Sequence, residues 1–124
     1  PLATDIIDIR FIASAGSTTL DYSIVDTGNV SVGTSNVIVD SFPSTLYRSA
    51  KYTISSSNDT DATIAEVMLV QMNGTTALGI VSNVNTGSNT LTFYANVSGS
   101  TVNLLVKGSN SSNKLKLQRT YFDI

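Results

Sequence analysis

Apolar residues recur at every second position along this chain, and clusters of Gly, Asn, Ser and Asp break the alternation at intervals of roughly 8–12 residues. A period of two belongs to a strand, whose successive side chains point to opposite faces; a helix would repeat every 3.6 residues. Leu91, Phe93, Ala95 and Val97 alternate with Thr92, Tyr94 and Asn96, which predicts a half-buried strand. From Leu46 the parity again divides the chain. Leu46, Arg48, Ala50, Tyr52 and Ile54 fall on one face, and Tyr47, Ser49, Lys51 and Thr53 on the other. Phe42-Pro43 stands just before this run, and the proline ring keeps Phe42 out of helical geometry. We read residues 46–57 as a central strand with Tyr52 and Ile54 in the core. Arg48 shares their parity, and a charge on a buried face needs a partner. Asp40, Glu66 or Asp123 is expected to supply it.

The remaining segments follow the same grammar. Asp5 to Ala13 predicts a strand with Ile7, Ile9, Phe11 and Ala13 on one face, followed by a turn at Ala15-Gly16-Ser17. Leu20, Tyr22 and Ile24 mark a short strand that ends at Asp26-Thr-Gly-Asn29. Val30–Gly33 and Val37–Val39 are short β segments. Ser55 to Asp61 reads as a polar loop. Ile64 to Met72 contains helix formers, yet it spans about nine residues and runs into Asn73-Gly74, a strong hairpin signal. A strand is therefore expected, with Ala77–Val84 returning beside it. Turns follow at residues 85–89, 98–100 and 108–113, separating strands at 91–97, 102–106 and 115–122. Eight to ten strands without a helix, in a chain of 124 residues, predict a single all-β domain: an antiparallel β-sandwich, jelly-roll-like.

Composition narrows the chemistry. The chain has no Cys, no His and no Trp. A Ser-His-Asp or Cys-His arrangement is therefore excluded, as are thiolate and imidazole metal ligands. Ser111 and Lys114 have a nucleophile–base spacing, but in a Ser-rich turn the spacing arises by chance. Nine carboxylates are scattered, and nothing in the sequence pairs two of them for glycoside hydrolysis. Asn58-Asp59-Thr60-Asp61 holds oxygen donors of the kind Ca²⁺ takes, and the simpler reading is a solvated turn capped by Asn and Asp side chains. No catalytic, cofactor-binding or metal-binding residue is assigned, and no enzymatic activity or cofactor is expected.

Ser, Thr, Asn and Gly supply 53 of 124 residues, while the charged fraction is 13% and the net charge −2. Nucleic-acid binders carry a basic excess that this chain lacks. No apolar run is long enough for a membrane span, and no basic, then apolar, leader opens the sequence. Lys114, Lys116 and Arg119 suggest a basic stripe, with an exposed or edge strand guarded by lysines as the plainer reading. Tyr22, Tyr47, Tyr52, Tyr94 and Tyr121 suit either core packing or a stacking surface for carbohydrate. The Asn-x-Ser/Thr sequons at Asn29, Asn58, Asn73, Asn96 and Asn110 are expected from composition alone.

Residues 40–122 carry a further pattern: Asp40-Ser-Phe42, Tyr47-Arg-Ser-Ala-Lys-Tyr52, Glu66-Val67, Val70, Asn73-Gly-Thr-Thr-Ala77, Phe93, Ala95, Val97-Ser-Gly99, Val102-Asn-Leu-Leu-Val106 and Lys116 to Thr120. In order and spacing it resembles a module of virion structural proteins of tailed bacteriophages, particularly those infecting marine cyanobacteria. Leu78-Gly-Ile-Val81 departs from the pattern, and residues 1–39 lie outside it. The resemblance implies a non-enzymatic component on the surface of a phage particle. Its partners would be other capsid or tail proteins, together with further copies of itself. A capsid decoration or cement protein is the leading expectation, with residues 1–39 forming either a docking segment or N-terminal strands. The alternative is a tail-fibre or baseplate module that binds a host-surface glycan through its Tyr side chains and the loops at 55–61 and 85–89.

Overall fold

A computed structural model describes residues 22–23, 30–110 and 112–124. The expected strand at Asp5–Ala13, the turns at 15–17 and 26–29, and Ser111 lie outside these residues. Nine strands are seen among the described residues: β1 (Tyr22–Ser23), β2 (Val30–Val32), β3 (Val37–Pro43), β4 (Tyr47–Ser57), β5 (Ala62–Met72), β6 (Thr75–Asn85), β7 (Leu91–Ser98), β8 (Thr101–Gly108) and β9 (Asn113–Asp123). All pairings are antiparallel. One sheet has the order β1-β9-β4-β5-β6, with β2 also pairing with β9; the other has the order β3-β8-β7. The expected antiparallel β-sandwich is the architecture found, with β4 central between β9 and β5. No helix among the described residues is long and apolar enough to cross a membrane.

The core follows from parity. Ala50, Tyr52 and Ile54 of β4 meet Ala65, Val67 and Leu69 of β5 and Leu115 and Leu117 of β9. The small sheet contributes Phe42, Leu91, Phe93, Val102, Leu104 and Val106. Each large side chain removed from water stabilises the fold by about 1.5–3 kcal/mol before chain entropy is counted. Residues 64–72 form a strand despite their helical propensity. Alternate burial of Ala65, Val67, Leu69 and Gln71 needs a period of two, and Asn73 (φ 52°) and Gly74 (φ 79°) both take the left-handed geometry of a tight two-residue hairpin.

β4 runs to Ser57, the end expected of this strand, so the polar loop begins only at Asn58: Ser55, Ser56 and Ser57 pair with Ile64, Thr63 and Ala62 on one side and Lys116, Leu115 and Lys114 on the other. Two further readings are corrected. The parity of residues 46–48 fails. A bulge between Tyr47 and Ser49 makes Arg48 an extra residue, so Tyr47 packs on the core while Leu46 is exposed. Finally, β9 is not an edge strand, because β4 flanks one side and β1 and β2 the other. Within the described part of residues 1–39, β2 pairs with β9, β3 pairs with β8, and Val32 is buried in the core.

Candidate functional site

Loops gather at both ends of the sandwich, and they differ in kind. At one end the connections are short turns: 44–46, Asn73-Gly74 and Gly99-Ser100. At the other, the longer loops β2–β3, β4–β5, β6–β7 and β8–β9 converge. Two buried asparagines hold them together. The Asn113 amide donates to the carbonyls of Val32 (3.1 Å) and Asn110 (2.7 Å). Its Oδ1 accepts from the side-chain amides of Asn58 (3.1 Å) and Asn89 (2.8 Å). All four hydrogen-bonding positions of this amide are used. The Asn89 Oδ1 accepts from Ser109 Oγ and the Asn110 N–H, its own N–H donates to Asp61 Oδ2 (3.0 Å), and its carbonyl accepts from Asn85 Nδ2.

In the β4–β5 loop, Asn58 Oδ1 accepts from the N–H groups of Thr60 (2.9 Å) and Asp61 (2.7 Å) and from Thr60 Oγ1 (3.2 Å). This is the capped turn that residues 58–61 suggested, and Asp61 is committed to Asn89. No group of three or more His, Cys, Asp or Glu residues capable of holding a metal occurs among the described residues. Gly87 is required here, because a Cβ at that position would overlap the Asp61 carboxylate.

Between the scaffolded loops lies an open cleft of about 520 Å³, lined by Thr34, Asn58, Asp59, Thr60, Ser109, Asn110 and Ser112. Its lining offers hydroxyls, amides and a single carboxylate, and neither an aromatic ring nor a cation. Such groups can donate and accept hydrogen bonds, to water or to a polar ligand. The loops at 55–61 and 85–89 named from sequence do converge at this end, whereas the β8–β9 loop, which contributes three of the lining residues, was read only as a turn. Its signal was the Asn and Ser density of residues 109–113.

Most of the described tyrosines take the core-packing role. Tyr52 is fully buried, and Tyr47 and Tyr121 pack against the core. Tyr94 stands exposed on the outer face of the small sheet, with Lys107 Nζ 5.7 Å from its ring centre. The cleft and the one exposed described tyrosine are thus not brought together in a common lining.

A second polar cluster lies between the sheets. A bulge between Ile38 and Asp40 lets Val39 and Asp40 both turn inward. Asp40 accepts from Tyr52 Oη (2.8 Å) and Tyr121 Oη (2.7 Å), and it pairs with the Arg119 guanidinium. Arg119 also stacks 4.9 Å from the Tyr121 ring centre, which lies 5.1 Å from Phe42 and 4.8 Å from Tyr47. Burial, reinforced by the neighbouring Asp40 carboxylate, pushes both phenols well above the usual tyrosine range. The cluster joins β3 of the small sheet to β4 and β9 of the large one and contributes to structure.

The expected carboxylate partner therefore belongs to a different arginine. Among the described residues no ion pair involves Arg48, which donates to the Gln71 carbonyl at 3.3 Å. Arg119 leaves the supposed basic stripe, because it shares the inward parity of Leu115 and Leu117, while Lys114 and Lys116 face solvent. That parity was available in the sequence and would have separated Arg119 from the lysines.

No protein-family model matches this chain, and no curated protein matches it. Among solved structures, the fold is similar to part of the tailspike protein of Acinetobacter phage vB_ApiP_P1. The TM-score is 0.50 at 12% identity, over 97% of this chain and 24% of the tailspike chain. The chain thus spans about a quarter of the length of that protein, and the likeness establishes a shared β architecture.

Proposed function

We propose that this chain is a non-enzymatic structural module of a tailed-phage virion, carried on a tail appendage, whose loop-end cleft meets a glycan of the host surface. The observation that carries the reading is the near-complete overlay of the chain on a portion of a phage tailspike. The phage-module pattern in residues 40–122 supports it from sequence. The cleft supports the ligand class, since Asn113 and Asn89 hold Asn58, Ser109 and Asn110 of its lining in place, which reduces the reordering that binding requires. These observations weigh toward a tail appendage over the capsid-decoration role first expected.

Two experiments test the proposal. Immunogold labelling of intact particles should mark tails; label confined to capsids would return the chain to a decoration role. The isolated chain should bind surface polysaccharide from the host, and Asn110→Ala with Thr60→Ala should weaken that binding at least tenfold without changing the circular-dichroism spectrum. Absence of binding, or binding unaffected by both substitutions, would remove the cleft from the proposal.

A further inference from the structure

Strand β6 is a free edge with a single bulge as its guard. It pairs with β5 on one side and with no strand on the other among the described residues. Its eleven residues, Thr75–Asn85, contain no charged residue and no proline. Solvent-facing edges are ordinarily guarded by such residues, because a free row of N–H and C=O groups templates further pairing. A bulge opposite Glu66 and Val67 interrupts the strand once, at Val81. From Gly79 to Val84 every residue is exposed, on both faces of the strand. Ile80 pairs with the buried Val67 and so points to the inner side, yet it is 48% exposed; Val84, on the outer face opposite Ile64, is 64% exposed. This half of β6 overhangs the small sheet with apolar side chains on either surface.

We infer that the free edge of β6 pairs antiparallel with β6 of a second copy of this chain, about a two-fold axis near Ile80, to form one continuous sheet. A neutral strand offers no charge by which to select a charged partner, whereas an antiparallel pairing with its own copy matches in length and satisfies both edges at once. The two-fold also suits the charges. Lys114 and Lys116 lie on β9, three strands away from β6, or about 14 Å at the usual strand spacing. Pairing through β6 therefore keeps the lysines of the two copies beyond screening distance. An edge of this length, together with Ile80, Val81 and Val84 on its two sides, buries on the order of 1,000 Å² in total, the size at which specific interfaces begin.

The inference does not depend on the phage reading. Sedimentation equilibrium of the full chain at micromolar concentration should give twice the 13.1 kDa monomer mass. Ile80→Lys with Val84→Lys should give the monomer mass with an unchanged circular-dichroism spectrum, whereas Thr53→Lys, on β4, should leave the dimer intact. Hydrogen exchange on the wild-type chain supplies an independent reading: amides of residues 75–85 should become more protected as concentration rises. A wild-type monomer at about 100 μM, a dimer that survives the double lysine substitution, or β6 amides whose protection ignores concentration would each overturn the proposal.

Discussion

Of the buried polar clusters in the sandwich, one is built around Asp40 and another around Asn113. Asp40 gathers two phenols and a guanidinium between the sheets, so a buried carboxylate must be balanced by a partner that is itself only partly exposed. Asn113 gathers carbonyls and amides where the long loops meet, and every group it touches is neutral. The first cluster locks two sheets together and is closed. The second shapes the floor beneath an open cleft and leaves hydroxyls and amides facing solvent. Charge suits a fixed joint, since its removal leaves costly unpaired groups. Neutral amides suit a surface that exchanges hydrogen bonds with water or a ligand, since desolvating an amide costs less than desolvating an ion.

This contrast can be broken by experiment. The largest effect is expected at the charged joint: Asp40→Ala leaves Arg119 and two phenols without their acceptor and should cost about 3–5 kcal/mol in urea unfolding. At the amide cluster, Asn113→Ala should cost about 2–3 kcal/mol, because the partners left unpaired are neutral. Equal costs at the two sites would erase the distinction.

Alkaline pH should then separate the clusters without mutation. The Tyr52 phenol titrates in the folded state far above its unfolded value of 10.0. Its contribution is fully present below pH 10 and is lost as pH rises from there, because the unfolded chain ionises while the folded one does not. The expected loss is about 1.4 kcal/mol for each pH unit above 10 from Tyr52, with a smaller share from the more open Tyr121. Tyrosinate absorbance should therefore rise together with unfolding; the Asp40→Ala variant should lose only the part that the carboxylate adds to burial, while Asn113→Ala retains the whole dependence.

The smallest change tests the rule that buried polar groups need partners. Thr63 Oγ1 and Ser56 Oγ sit opposite one another in the core with no hydrogen-bond partner among the described residues. Thr63→Val should raise stability by about 1 kcal/mol, measured as a higher urea midpoint with unchanged slope. A loss of stability would mean that these hydroxyls are satisfied after all.

The strands and most of their core residues could be read directly from the chain. Alternation fixes which side of a strand is apolar wherever the ladder is regular, as in β7 and in the stretch from Ser49 to Ser57, and the positive φ of Asn73 and Gly74 suits their residue types. Parity also held the evidence that Arg119 points inward with Leu115 and Leu117. What sequence could not supply was the position of the bulges. The extra residue at Arg48 moved Tyr47 to the core side and left Arg48 on a backbone carbonyl, and the irregularity at Ile38–Asp40 turned Asp40 between the sheets. A bulge shifts every side chain beyond it by one position while leaving the composition of the strand unchanged.

The assembly of the cleft was likewise decided by tertiary structure. Thr34, Asn58 and Asn110 belong to three loops far apart in the chain, and only the order of strands in the two sheets brings them together. The sequence by itself determined an antiparallel sandwich with a hydroxyl- and amide-rich surface, because periodicity and composition are local properties. The choice of partner for Asp40, the convergence of the loops and the open edge at β6 depend on which strands become neighbours, and that is settled only when the two sheets close over a common core.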